Sequence, residues 1–212
     1  MKDHIFDIYG IEEDLVNKGY KYIAGCDEAG RGPMAGPLVV AGVILPNGVK
    51  IPYLNDSKKV SPKRRDLLYD EIMKIAIDVQ VIVISVEDVD RENVYMASKH
   101  GMEKAIKGLK KVDYALTDCM DVDVNCPYLS LVKGDSKSAS IASASIIAKV
   151  TRDRIMEELD KEYPMYGFKK HKGYVTKLHR EMLSKYGVSP VHRKTYAPVI
   201  NEIEKNNYLK ID

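Results

Sequence analysis

Apolar and polar positions along the chain change period several times, and the changes divide it into elements. Between Tyr9 and Lys18, Ile11, Leu15 and Val16 recur at helical spacing and Gly19 follows, which predicts a short first helix packed as a lid under a sheet. Lys21 to Cys26 and Leu38 to Leu45 are β-branched and apolar. Joined by a glycine turn with Pro33 and Pro37, they predict two antiparallel strands, the second closed by Pro46-Asn47-Gly48. Ser61-Pro62 predicts a helix start, with the hydroxyl as cap, proline in the first turn, and Leu67, Leu68, Ile72 and Ile75 as the buried stripe. A third strand is predicted over Val79 to Val86, a helical stretch over Glu87 to Lys111, and a fourth strand over Val112 to Thr117. A fifth strand, Leu129 to Val132, precedes a long helix from Ser138 to Tyr163. The first half of that helix, Ala139 to Ser145, is made of small residues that let it lie close to a sheet; its serines also read as bonding back to helix carbonyls. After Pro164 a helix is predicted from Val175 to Lys185, and the last dozen residues read as a trailing helix with no docking motif. Strands alternating with helices predict an α/β fold.

At 212 residues the chain suits one domain with a proper core. A hydrophobic content of 45% beside 30% charged residues, without low-complexity tracts, excludes a disordered or fibrous class and predicts order except at the ends. No apolar run reaches the length of a membrane span, and Met1-Lys2-Asp3-His4 opens no signal peptide, so a cytoplasmic protein is expected. Cys26, Cys119 and Cys126 lack zinc-ligand spacing and read as buried thiols of a reducing compartment. The net charge of +2 hides an uneven distribution. From Tyr163 to Thr195 there are eight Lys or Arg against one acid, Glu181, a pattern that suits a polyanion and equally a solvated basic face.

The candidate chemistry centres on Ile23 to Gly36, IAGCDEAGRGPMAG, where an apolar run ends in Asp27 and Glu28 ahead of a glycine turn carrying Arg31. Successive strand residues face opposite sides, so both acids serve one site only if the strand ends between them. Gly30 and Gly32 permit the turn and a close approach of backbone amides to a bound group. Read alone, the pair is as well a solvated loop after an edge strand. Asp118 and Asp135 also stand at the ends of predicted strands, positions that serve as turn residues or as α/β site residues. If the strands share a sheet, the four acids converge. Clustered carboxylates suit hard divalent cations, Mg²⁺ or Mn²⁺, and two such ions catalyse phosphodiester hydrolysis. Phe168-Lys169-Lys170-His171-Lys172-Gly173-Tyr174 sets an aromatic among cations, as nucleic-acid surfaces do, though a tyrosine at a helix start also serves as core or cap.

The motif DEAGRG, followed by Asn55-Asp56-Ser57-Lys58-Lys59, Asp118, Lys133-Gly134-Asp135-Ser136-Lys137, Ala144 to Val150, Arg152-Asp153, His171 to Tyr174 and His192-Arg193-Lys194, resembles the type 2 ribonucleases H, and ribonuclease HII in particular. The resemblance spans roughly residues 20 to 198. It implies a ribonuclease H-like mixed five-stranded sheet flanked by helices, with a catalytic region over residues 1–163 and a small C-terminal helical substrate-binding region over 164–212 of the same domain. It implies an endoribonuclease acting as a monomer on RNA/DNA hybrids and on single ribonucleotides in duplex DNA. Asp27, Glu28, Asp118 and Asp135 match the family's metal-binding acids; Gly30-Arg31-Gly32 matches the segment that senses the ribose 2′-OH through backbone groups. Tyr174 matches the tyrosine that stacks on the adjoining deoxyribose, and Ser57, Lys58 and Lys172 match substrate contacts. Cys119-Met120 and Asn93-Val94-Tyr95-Met96 depart mildly from the family pattern. Against this stand a non-catalytic nucleic-acid binding module, which leaves the acids unexplained, and a structural α/β protein whose acids are caps and turns.

Overall fold

The computed structural model describes residues 5–208; the opening Met1 to His4 and the last four positions of the predicted trailing helix lie outside them. Five strands form one sheet in the order β3-β2-β1-β4-β5. They are β1 (Ile23–Ala29), β2 (Leu38–Ile44), β3 (Asp78–Ile84), β4 (Tyr114–Asp118) and β5 (Tyr128–Leu131). β1 pairs antiparallel with β2 and parallel with β4, and β4 pairs parallel with β5, so the sheet is mixed. Eight α-helices accompany it among the described residues: α1 (Gly10–Asn17), α2 (Pro62–Ile75), α3 (Val86–Glu92), α4 (Val94–Gly108), α5 (Ala139–Glu162), α6 (Phe168–His171), α7 (Lys177–Tyr186) and α8 (Ala197–Tyr208). None is long and apolar enough to cross a membrane.

The chain divides into two compact units, one of Met1–Ala29, Val39–Ile82 and Ser98–Val150, the other of Gly30–Leu38, Val83–Ala97 and Thr151–Asp212. In the first, the close approach foreseen from the small residues is realised at one glycine. A Cβ on Gly25, in the middle of β1, would lie 2.0 Å from the backbone carbon of Ser140 at the start of α5. Only glycine fits there. Leu15 of α1 packs with Ile23, Leu116 and Ile141, which makes α1 the expected lid on β1, β4 and α5. In the second unit Met34, Leu183 and Val199 form one cluster and Ala35, Met156, Tyr166 and Phe168 another, so α8 docks through Val199 although no motif announced it.

Five local expectations are corrected. Ser61 precedes α2, but its hydroxyl makes no cap bond, and in the stripe Leu68 and Ile72 are buried while Leu67 is 53% exposed. The helical stretch after β3 breaks at Asn93, whose φ of 63° no helix accommodates; its carboxamide oxygen accepts from the amides of Tyr95 and Met96 and starts α4 anew. Of the three cysteines only Cys26 is buried, Cys126 being intermediate and Cys119 exposed. β1 does not end between Asp27 and Glu28, since Glu28 pairs with Val40 and Ala29 with Val39.

Candidate active site

The register of the sheet sets the site. Cys26 of β1 lies beside Thr117 of β4, so the next residues, Asp27 and Asp118, come abreast where the parallel pairing ends. β5 ends beside Asp118 at Leu131, and a 3₁₀ turn, Gly134–Ser136, brings Asp135 back toward the same edge. The Gly134 amide donates to Asp118 Oδ1 at 2.7 Å, tying the turn to the strand end. One carboxylate oxygen from each of Asp27, Asp118 and Asp135 falls within 4.8 Å of the other two. Glu28, one step along a continuous strand, is outside this group, as the alternation of strand side chains requires.

These carboxylates strain against each other. Asp27 is only 4% exposed; burial, then the charges of Glu28 and Asp118, hold its carboxyl well above the usual range. Burial, Asp56 and Asp118 push Asp135 up to about 6, against the pull of Lys58. The dipole of α5 does little to offset this, because α5 begins only at Ala139, four residues on. Burial works to lower the Lys58 ammonium, but Asp135, Asp56, Asp27 and Asp118 together raise it. Three hard oxygen donors in mutual repulsion fit a divalent cation such as Mg²⁺ or Mn²⁺ by their chemistry. Asp118 and Asp135 line a groove of about 410 Å³ with Lys58, Lys133 and Cys119.

Two residues unforeseen as site residues support the acids. The Ser145 hydroxyl on α5 pairs with Asp27 and lies 2.9 Å from that of Ser57, so Ser57, buried at 4%, stands behind the site rather than on its surface. Asp56 shares a hydrogen bond with Asp135 and accepts from the Lys58 amide at 2.8 Å.

In the second unit, Gly30 opens the loop with φ of 107°, and a Cβ there would strike Arg152 Nε at 2.3 Å. Arg31 and Gly32 are exposed, and the Tyr174 ring, 44% exposed, stands 3.7 Å from where a Gly32 Cβ would be. Lys172 Nζ is held by Glu157 at 2.7 Å, which also keeps the Glu157 carboxyl below its ordinary range.

A family model described as "Ribonuclease HII" matches residues 24–199. The chain belongs to the ribonuclease HII family. A ribonuclease HII from Bacillus cytotoxicus is 50% identical over 204 residues, covering 96% of this chain and 79% of that one. One from Acholeplasma laidlawii is 53% identical over 194 residues, 91% and 96% of the two chains. Among solved structures, ribonuclease H2 from Pyrococcus horikoshii superposes with a TM-score of 0.76 at 26% identity, covering 87% of this chain and 98% of that chain. The protein is thus a type 2 ribonuclease H, a hydrolase that cuts an RNA strand internally, on the mixed sheet that the resemblance implied.

Within this ribonuclease HII the basic segment is less uniform than its charge count suggests. Lys169, Lys170, Lys177, Arg180, Lys185 and Lys194 are exposed, but Arg193 is fully buried and Lys172 is half-buried against Glu157. Arg152 is buried as well, and burial followed by the charge of Arg193 lowers it to about 10. His179 and His192 touch through their Nε2 atoms at 3.1 Å, and burial pushes both down to about 4. They are neutral at physiological pH.

Proposed function

We propose that the protein hydrolyses the RNA strand of RNA/DNA hybrids and incises duplex DNA on the 5′ side of a single embedded ribonucleotide, leaving 5′-phosphate and 3′-hydroxyl ends, in the removal of ribonucleotides from DNA. The observation that carries the metal-assisted reading is the convergence of Asp27, Asp118 and Asp135 within 4.8 Å. When bound there, two divalent ions supply an activated water and charge compensation for the leaving oxygen. The chain's own residues have distinct tasks. Asp27 and Asp118, fixed by Ser145 and by the Gly134 amide, present oxygens where the parallel pairing of β1 and β4 stops, and Glu28 adds its charge beside them. Asp135, on its short turn, acts on the side of the leaving group, and Lys58, drawn by four acids, meets the phosphate. Lys172 meets a phosphate only by leaving Glu157.

Substrate choice rests on the second unit. A 2′-OH both donates and accepts, so backbone groups at Gly30 to Gly32 can pair with it and are left unsatisfied by deoxyribose. A flat ring such as Tyr174 packs on the next sugar and desolvates any hydroxyl there, which favours deoxyribose 3′ of the cut. The test is incision of a DNA duplex carrying one ribonucleotide, with Mg²⁺ and separately Mn²⁺, beside a continuous hybrid. Tyr174→Ala should reduce the first activity more than the second. A wild type that cuts only hybrids, or a variant that loses both activities equally, would overturn this reading of the junction.

A further inference from the structure

The loop from Arg31 to Pro37 is held by side chains to which neither the charge pattern nor the acids assign a task. Arg193 is fully buried, and its guanidinium donates to carbonyls and a hydroxyl. Its Nε donates to the Gly36 carbonyl at 3.0 Å and its backbone amide to the Met34 carbonyl at 2.9 Å. Its Nη1 donates to Tyr196 Oη at 2.9 Å and reaches the Arg31 carbonyl at 3.3 Å. Tyr196 Oη in turn donates to that same Arg31 carbonyl at 2.5 Å. A cationic donor thus polarises a hydroxyl that polarises one particular carbonyl, and hydrogen bonds in such a chain strengthen one another.

The target of this relay matters because of peptide geometry. The Arg31 carbonyl and the Gly32 N–H belong to one planar, trans peptide unit, so anchoring the oxygen aims the N–H in the opposite direction. Two donors on the oxygen also make that N–H a stronger donor, and they occupy both lone pairs of the carbonyl.

We propose that Tyr196, backed by Arg193, is a positioning residue for ribose recognition: it fixes and polarises the Arg31–Gly32 peptide so that the exposed Gly32 amide reads the 2′-OH as an acceptor. This rests on the reading of Gly30 to Gly32 given above. Tyr196→Phe is the direct probe. The ring packs beside Met34, Leu183 and Val199, and beside Leu38, Val89 and Ala97, so phenylalanine keeps the packing and removes only the hydroxyl.

The experiment measures kcat/KM on two duplexes of one sequence, carrying at the same position either a ribonucleotide or its 2′-fluoro analogue, a weak acceptor without a hydroxyl, together with Tm. The relay predicts that the ribo-to-fluoro ratio falls about three- to tenfold in Tyr196→Phe, the scale of one lost charge-assisted hydrogen bond. Tm should stay within about 4 °C of wild type. A merely structural role lowers both substrates equally and leaves the ratio unchanged, which would overturn the proposal, as would a ratio within twofold of wild type. Should the wild type itself cut both substrates equally, the reading of Gly30 to Gly32 fails and the relay fails with it; a discriminating wild type with an unaffected variant sinks the relay alone.

Discussion

Replacing Asp135 by asparagine should stabilise the protein in the absence of divalent metal, and by an amount that depends on pH. The carboxyl is raised from an ordinary 3.8 to about 6 by burial, Asp56 and Asp118. Ionising it in the folded chain therefore costs ~3 kcal/mol more than in the unfolded chain. Water entering the groove lined by Lys58, Lys133 and Ser136 screens the repulsion, leaving about 1–2 kcal/mol. A carboxyl whose folded pKa lies above its unfolded value stabilises the fold below the unfolded pKa, and that stability is lost as pH rises through the folded one. Wild type should thus lose stability relative to Asp135→Asn between about pH 4 and pH 6, with a constant gap above. For a chain of this length the gap is about 2–8 °C in Tm. The carboxamide keeps the hydrogen bond to Asp56, as donor, so the packing survives. Thermal melts of both proteins from pH 4 to pH 8 in chelator measure it. Saturating Mg²⁺ should then invert the order, since an ion bound only by the folded state stabilises wild type more. A variant less stable than wild type at pH 7.5 in chelator, or a gap independent of pH, would refute the assignment of self-repelling acids.

Three further changes probe other links. Asp118→Asn should leave the metal-free fold intact and lower incision by at least about 10²–10³-fold, the scale for loss of one preorganised charge-stabilising group; near wild-type incision at saturating Mg²⁺ would rule out its role. Gly25→Ala forces a Cβ to 2.0 Å from the backbone of Ser140, which cannot swing aside, so urea unfolding should report a loss of at least about 3 kcal/mol or no fold at all. Arg152→Leu removes the donors to Pro37 O at 2.9 Å, Lys172 O at 2.9 Å and Ala35 O at 3.0 Å. Three abandoned carbonyls at ~1–3 kcal/mol each outweigh the relief of an unburied charge, and the same measurement should show a loss of about 3–5 kcal/mol.

Much of the fold was legible because period and composition act locally. The all-apolar run Leu38 to Ile44 became the fully buried β2, and the small residues at the start of α5 signalled its contact with Gly25. Three acids could be gathered because each follows an apolar run, and the parallel pairing of β1 and β4 stops beside two of them. Where β1 itself ends was not legible. Its extension through Glu28 and Ala29 is set by pairing with Val40 and Val39, a tertiary contact that the acidic pair gives no sign of. The exposure of Leu67 follows likewise from what lies above α2 and not from its own spacing. Asp56 stands in the sequence only within a motif stretch and Ser145 only as a small, back-bonded helix serine, and they gain a function when the fold brings them to Asp135 and Asp27.

The arginines were the least legible, and the reason is one of hydrogen-bond supply. A charge count takes every Arg as a surface cation, yet Arg152 and Arg193 are fully buried. Pro33 and Pro37 bring no N–H to the loop after β1, and its turns leave carbonyls without a ladder partner. The carbonyls of Arg31, Ala35, Gly36 and Pro37 all accept from a guanidinium, which alone among side chains carries five donors in a fixed fork. The loop that carries the glycine motif therefore takes its shape from two residues more than a hundred positions away in the chain. Substitutions at Arg152 or Arg193 should alter how the motif meets a sugar without touching any acid, so loss of activity there says nothing about the metal site unless selectivity between sugars is measured beside it.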